Sequence, residues 1–260
     1  MTQIERTILV QPQKNEYPLY QSFADREGLR FEYTDFGMPA VLNDDAQFQQ
    51  ALATYQGDKR GFSLHGAFID INTSSVDKEI RQICRRRLRQ SCQAAQALGL
   101  SHIVFHSNYI PVLNQYYYVR NWLNENALFY QELLEEFPIT IYLENMEDFH
   151  PDMLLMLVEK VKHPRCKICL DIGHANFSKA PLRRWFASLA PYIGYLHLSD
   201  NYGTYDEHLP LGQGAVDWHD FNKWIERYQL NPITLLEVSG SKNIEQSISY
   251  LKEQKIFPYN

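Results

Sequence analysis

The sequence lacks several features that mark common classes of protein. No stretch approaches the roughly 18 apolar residues that a membrane-spanning helix requires. Acidic residues outnumber basic ones by 31 to 25, and the net charge of -6 argues against a general nucleic-acid-binding surface, which needs excess Lys and Arg. Because of this charge, we expect a small-molecule substrate. The opening MTQIERTILV has neither a long apolar core nor a cleavage-like site, so we expect a cytoplasmic protein.

Cysteine is also scarce, with four residues in 260. Cys166 and Cys169 form a C-x-x-C pattern, but both fall inside the apolar run CKICLD. A strand would direct these two side chains to opposite faces, so we interpret them as buried core thiols. The Arg-rich run of residues 81–89 also has a structural interpretation: we expect it to form the solvated outer face of a long helix.

Short apolar runs alternate with longer amphipathic stretches along the whole chain. The predicted strands are residues 7–10, 29–33, 61–64, 102–105, 139–143, 166–170, 193–196 and 233–236. The predicted helices are residues 17–26, 45–55, 77–98, 121–136, 151–161, 181–190, 218–229 and 243–254. Eight strand–helix units predict an α/β protein with a (β/α)₈ TIM barrel in one domain, residues 1–260. The alternative, a doubly wound open sheet, lacks a G-x-G-x-x-G after the first strand.

Potential ligands follow most of the predicted strands from the third onward. They are His65, His106, Glu144, Asp171 with His174, His197 and Glu237. In a (β/α)₈ barrel all strand C-termini open on one face, so we expect these side chains to converge there. Buried carboxylates are costly unless they are paired or bound to a metal. The placement therefore predicts a metal site at the barrel mouth.

The stretch after the seventh strand adds further ligand types. Asp206 and His208 lie in a polar loop, within the pattern D-x-H-x-x-L-G-x-G-x-x-D that ends at Asp217. Imidazoles and carboxylates together suit a borderline divalent ion such as Zn²⁺ or Mn²⁺. Four other histidines, His102, His150, His163 and His219, lack a placement at a strand end and are left out of the site.

With these residues in view, the chain resembles the xylose isomerase-like TIM-barrel superfamily, which includes sugar isomerases and epimerases, inosose dehydratases and endonuclease IV. The specific segments are LENMED, LDIGHANF, LHLSDN and the pattern from Asp206 to Asp217. The epimerase branch implies one divalent ion (Mn, Zn, Co or Mg) held by Glu144, Asp171, His197 and Glu237. It also implies catalysis by Glu144 and Glu237 through a metal-bound enediolate of a small sugar, sugar phosphate or polyol.

The same resemblance implies further roles for the remaining histidines. His174 would contact the substrate, with His65 and His106 as additional contacts. In the endonuclease IV branch, a multinuclear zinc cluster for phosphodiester hydrolysis would instead add His65, His106, His174, Asp206 and His208 as ligands. The acidic net charge weighs against DNA as the substrate.

Several points stay open at the level of the sequence. An inosose dehydratase-like lyase also begins with proton abstraction beside a carbonyl, so the same residues fit that reaction. The sugar, the carbon attacked and the identity and number of metal ions are undetermined. A homo-oligomer is an alternative to a monomer, and no sequence feature decides between them.

Overall fold

A computed structural model describes residues 7–260. The strands are β1 (Ile8–Val10), β2 (Arg30–Tyr33), β3 (Gly61–His65), β4 (His102–His106), β5 (Thr140–Glu144), β6 (Cys166–Asp171), β7 (Ile193–Leu198) and β8 (Ile233–Leu236). The helices are α1 (Tyr17–Glu27), α2 (Pro39–Leu42), α3 (Asp45–Tyr55), α4 (Lys78–Ala97), α5 (Tyr116–Glu136), α6 (Asp152–Val161), α7 (Ile172–Phe177), α8 (Leu182–Leu189), α9 (Trp218–Arg227) and α10 (Ser241–Gln254).

The strands follow one another in sequence order around a closed barrel, β1 to β8. The pairs β1–β2, β1–β8, β3–β4, β4–β5 and β7–β8 are parallel. The predicted (β/α)₈ TIM barrel is thus confirmed, and each predicted strand has its counterpart with small shifts at the ends. Within residues 7–260, no helix has the length and apolar content needed to cross a membrane.

The chain divides into two compact units, which we describe separately. The terminal unit comprises Met1–Glu32, Phe149–Pro151 and Cys169–Asn260, and the central unit comprises Tyr33–Asp148 and Asp152–Ile168. The prediction of a single domain over residues 1–260 stays a prediction, and its first six residues lie outside the described ones.

In the terminal unit, β1 pairs with both β2 and β8, and β7 pairs with β8. Aromatic side chains from α8 and α9 fill the space against the strands: Trp185, Phe186, Trp218 and Phe221 are all buried. Asp217 begins α9, because its carboxylate accepts a hydrogen bond from the Asp220 N–H at 2.8 Å.

In the central unit, β4 pairs with β3 and β5, and α4 and α5 are the two longest helices. The Arg-rich run lies on α4, where Arg85 binds Glu125 at 2.8 Å and Arg89 contacts Glu132 and Glu136 on α5. These arginines therefore make ion pairs between two helices of the same unit.

Apart from shifts of one or two residues, one predicted helix begins earlier, and two short helices, α2 and α7, were not predicted. Helix α5 begins at Tyr116 rather than at residue 121, because no helix-breaking residue interrupts the aromatic run before it. Helix α7, which carries His174, was not predicted. It has six residues, too few for a periodic pattern, and it begins at the N-cap Asp171, the last residue of β6.

The interpretation of the cysteines agrees with the structure. Cys166 and Cys169 lie on β6, and both are buried free thiols. Burial raises the pKa of the Cys166 thiol to about 12, so the reactive thiolate is not formed at neutral pH.

Candidate functional site

Three buried residues that were predicted as metal ligands meet in the terminal unit. Asp171 ends β6, His197 lies on β7 and Glu237 follows the last residue of β8. Nδ1 of His197 is 2.9 Å from a carboxylate oxygen of Glu237 and 4.0 Å from one of Asp171. The exposed fractions of Asp171, His197 and Glu237 are 1%, 0% and 9%, so two carboxylates and one imidazole are concentrated in a space largely closed to water. We call this set the terminal cluster.

His174 stands beside the terminal cluster on α7. The Asp171 carboxylate accepts a hydrogen bond from the His174 backbone N–H at 2.5 Å, which ties the first turn of α7 to the end of β6. The other side of the ring faces the loop after β7, where His174 Nε2 is 3.2 Å from Oδ2 of Asp206. The same Asp206 oxygen lies 2.5 Å from Nε2 of His208. His174, Asp206 and His208 form the loop cluster, whose ligand atoms lie within 4.8 Å of one another.

In the loop cluster, the pKa values of Asp206 and His208 are shifted in opposite directions. Burial would raise the pKa of the Asp206 carboxyl, but hydrogen bonds with His174 and His208 outweigh it and lower the pKa to about 2. Burial would lower the pKa of His208, but its bond to Asp206 and the negative charges of Glu237, Asp206 and Asp171 raise it to about 9. At neutral pH, Asp206 and His208 are therefore a charged pair.

Asp200 organises the loop that carries Asp206 and His208. Its carboxylate accepts hydrogen bonds from the Gly212 and Val216 N–H groups at 2.9 and 3.1 Å and from the Trp218 indole at 2.9 Å. A Cβ at Gly214 would collide with the same carboxylate, so only glycine fits there. The pattern from Asp206 to Asp217 thus combines site residues with residues that fold the loop.

A third group occurs in the central unit, where His65, His106 and Glu144 end β3, β4 and β5. One oxygen of Glu144 is 3.3 Å from Nε2 of His65 and 3.5 Å from Nε2 of His106. The two imidazole rings are nearly perpendicular, with centroids 4.9 Å apart, and the ring centroid of Phe68 lies 5.2 Å from both. We call His65, His106 and Glu144 the central cluster, and their exposed fractions are 4%, 9% and 1%.

The structure thus gathers the predicted site residues into groups within each unit. Asp171, His197 and Glu237 meet in one unit, and Glu144 meets His65 and His106 in the other. Whether Glu144 completes a four-residue ligand set stays a prediction. His102, which we excluded, stacks on Phe62 at a centroid distance of 4.7 Å and bonds to Tyr142 at 3.0 Å, at the start of β4.

Sequence reasoning missed Glu32 and Gln11. Glu32 is a fully buried carboxylate on β2, and Gln11 follows β1. Gln11 contacts both Glu32 and Glu237, at 3.2 Å each. The signal for Glu32 was a charged residue inside the apolar run LRFEY, and charged residues are rarely buried without partners.

The residue types and their burial fit a divalent metal ion. Carboxylate oxygens and imidazole nitrogens are the ligands that such ions bind in proteins, and each of the three groups offers both. The loop cluster adds a specific observation: Oδ1 of Asp206 is buried and has no hydrogen-bond partner within the described chain. A cation would satisfy that oxygen.

Comparisons with known proteins agree with this architecture. Residues 23–254 match the family model described as xylose isomerase-like TIM barrel. The chain is 28% identical over 232 residues to the uncharacterized protein MJ1614 of Methanocaldococcus jannaschii, covering 86% of this chain and 88% of that protein.

Solved structures show the same fold. The structure of the TTHB071 protein of Thermus thermophilus, soaked with ZnCl₂, matches this chain with a TM-score of 0.74 and 27% identity. The match covers 96% of this chain and 97% of that protein's chain. A D-tagatose 3-epimerase-like protein also has a TM-score of 0.74, with 22% identity and 96% of each chain covered. With the family model spanning most of the sequence, the chain belongs to the xylose isomerase-like TIM-barrel family.

Proposed function

We propose that this protein is a divalent-metal-dependent isomerase or epimerase that acts on a small sugar, sugar phosphate or polyol derivative. The observation that carries the proposal is the convergence of the Asp171 and Glu237 carboxylates on Nδ1 of His197 in a buried setting. These residues would supply ligands for one ion, and Glu237 would also act as the base. The name of the D-tagatose 3-epimerase-like structure points to the same class of reaction.

The metal would be held by Asp171, His197 and Glu237, with Glu144 as the proposed fourth ligand. A divalent ion bound there supplies Lewis acidity, which makes a C–H bond beside a substrate carbonyl more acidic. The three carboxylates of this proposed four-residue set favour Mn²⁺, Mg²⁺ or Co²⁺, and the imidazole also admits Zn²⁺.

The chain's own residues would move the proton. The Glu237 carboxylate would take the proton from the carbon beside the carbonyl; the electron pair of that C–H bond forms a C=C bond, and the π pair of the carbonyl moves onto its oxygen. Return of a proton to the opposite face, for which we propose Glu144, inverts the stereocentre. Return of the proton to the former carbonyl carbon on the same face, with transfer of a proton between the two neighbouring oxygens, gives an aldose–ketose isomerisation instead. His174, beside the terminal cluster, would hydrogen-bond a substrate hydroxyl.

The proposal is tested by incubating the purified, metal-loaded protein with a panel of ketoses and polyol ketones in D₂O. We expect chelator-sensitive conversion of at least one substrate, with deuterium incorporated at the epimerised carbon. Loss of water from the product, seen by mass spectrometry, would assign the protein to dehydration. Absence of both conversion and exchange across the panel contradicts the proposal.

A metal-dependent phosphodiesterase is a second candidate, favoured by the two further groups of histidine and carboxylate. The central cluster and the loop cluster would each hold an additional ion, and enzymes with more than one ion use them to stabilise the attacking and leaving oxygens in phosphate ester hydrolysis. Chelator-sensitive cleavage of DNA that contains an abasic site would favour this function over proton transfer.

A further inference from the structure

A buried carboxylate lies behind His197, on the side of the ring away from the ligands. Glu32 Oε1 is 3.5 Å from Nε2 of His197, whereas Nδ1 of the same ring faces Glu237 and Asp171. The Tyr195 hydroxyl donates a hydrogen bond to the other oxygen of Glu32 at 2.7 Å. Glu32, Tyr195 and His197 all have an exposed fraction of 0%, so their arrangement is fixed by the packing around them.

Gln11 joins this carboxylate to the proposed base. Its Nε2 lies 3.2 Å from Oε1 of Glu32 and 3.2 Å from Oε1 of Glu237. Ionised carboxylates only accept hydrogen bonds, so the amide nitrogen of Gln11, with its two N–H groups, is the end that must face them. One side chain thereby contacts both Glu32 and Glu237.

Both ring nitrogens of His197 face carboxylate oxygens: Nδ1 faces those of Glu237 and Asp171, and Nε2 faces that of Glu32. A neutral imidazole carries one N–H, and the nitrogen that binds a metal must be the unprotonated one. For Nδ1 to serve as the ligand beside Asp171 and Glu237, the N–H must be on Nε2, which faces Glu32. Metal-binding histidines commonly donate their second N–H to a carboxylate, which fixes the tautomer and the ring orientation.

We propose that Glu32 is a positioning residue for the metal site. It keeps the His197 N–H on Nε2, so that Nδ1 points at the ion, and through Gln11 it holds Glu237 in the orientation needed for binding and proton transfer. This inference rests on the proposed function, because it takes Asp171, His197 and Glu237 as the ligands. Glu32 itself touches neither the ion nor the substrate.

The experiment measures metal affinity rather than turnover. Metal-stripped full-length protein is titrated with Co²⁺ and Zn²⁺ by calorimetry, and the visible absorption of bound Co²⁺ reports the ligand geometry. Glu32→Gln keeps the side-chain shape and removes the charge, and we expect the affinity to fall about 10- to 100-fold with a changed Co²⁺ spectrum. Tyr195→Phe, which removes one hydrogen bond to Glu32, should weaken binding by less than about tenfold.

Tyr55→Phe is the matched control. The Tyr55 hydroxyl also donates to a carboxylate at 2.7 Å, that of Asp35, but in the central unit. The control loses the same kind of hydrogen bond, so any general destabilisation is shared, and we expect its metal affinity and Co²⁺ spectrum to match those of the wild type. Thermal unfolding of the metal-free proteins compares the stability of the variants.

The outcomes separate the inference from the proposed function. If the wild type binds no ion through Asp171, His197 and Glu237, the proposed function fails. If the wild type binds an ion there and Glu32→Gln binds it equally well with the same spectrum, the positioning role is overturned. Should Glu32→Gln not fold, Gln11→Met, which removes both N–H donors at a half-buried position, takes its place. Wild-type affinity in Gln11→Met would likewise overturn the proposal.

Discussion

The terminal and central clusters are built from the same residue types in opposite proportions. In the terminal cluster, two carboxylates converge on one imidazole nitrogen, with distances of 2.9 and 4.0 Å from Nδ1 of His197. In the central cluster, two imidazoles converge on one carboxylate oxygen, at 3.3 and 3.5 Å from Glu144. Carboxylate-rich sites favour Mn²⁺ and Mg²⁺, whereas imidazole-rich sites favour Zn²⁺. The two clusters therefore differ in the ions that they are suited to bind.

The surroundings of the two clusters differ as well. Behind His197 lies a buried network of Glu32, Tyr195 and Gln11, which also reaches Glu237. In the central cluster, Nδ1 of His65 lies 3.1 Å from the backbone oxygen of its neighbour Gly66. The terminal cluster is therefore connected to side chains on or next to β1, β2 and β7, and such outer-shell contacts orient residues that bind a metal.

The largest effect is expected from Glu237→Gln. The change keeps the size of the side chain and removes the base, so we expect kcat to fall by about 10² to 10⁴ while the fold stays intact. The measurement is kcat on any ketose found in the panel, together with circular dichroism. The control is Glu207→Gln, which makes the same chemical change on the loop after β7. The Glu207 carboxylate accepts a hydrogen bond from the Tyr202 N–H, and the variant should retain wild-type activity. Retained activity in Glu237→Gln would remove this residue from catalysis.

The next largest effects are expected from replacing one histidine in each cluster, His197 in the terminal cluster and His106 in the central cluster. His197→Gln removes the imidazole ligand of the terminal cluster and should weaken metal binding by more than about 100-fold, because loss of an outer-shell partner alone costs about 10- to 100-fold. His106→Gln should raise KM with little change in kcat, as expected for a substrate contact. Calorimetry and steady-state kinetics check both. Equal losses of metal affinity and of kcat in the two variants would contradict this division of roles.

A smaller effect concerns the loop that carries Asp206 and His208. In Asp200→Asn, an amide N–H₂ replaces an oxygen that accepts hydrogen bonds from backbone and indole donors. We expect the free energy of unfolding to fall by about 1–3 kcal/mol, measured by urea denaturation. Asp217→Asn is the control. Asn caps a helix N-terminus as well as Asp does, so this change should leave the free energy of unfolding nearly unchanged. A neutral Asp200→Asn would show that the loop does not depend on this carboxylate.

The smallest effect that we expect is on the pH dependence of stability, and it comes from His102, the first residue of β4. Burial and the charge of Lys167 lower the pKa of His102 in the folded protein, so below the unfolded-state value of about 6.5 the unfolded chain binds more protons. Stability should therefore fall as pH decreases through that value, and His102→Gln should reduce this dependence. Urea denaturation between about pH 5 and 8 measures it. An unchanged pH profile in His102→Gln would remove His102 as the source.

Much of the fold could be predicted from the sequence, because alternating strands and helices constrain a barrel tightly. The strand-end residues were found for the same reason: Asp171 and Glu237 directly follow apolar runs. Helix α7 escaped prediction because six residues give no periodic signal, although its N-cap is a predicted ligand. Periodicity also could not reveal Glu32, whose partners Tyr195 and Gln11 are 163 and 21 residues away along the chain.

The central claim is tested most directly by determining the metal content per chain and locating the ions by anomalous diffraction. The account predicts an ion bound by Asp171, His197 and Glu237, with its loss abolishing proton exchange. An ion found only at His65 and His106, with the terminal cluster empty in active protein, would contradict it.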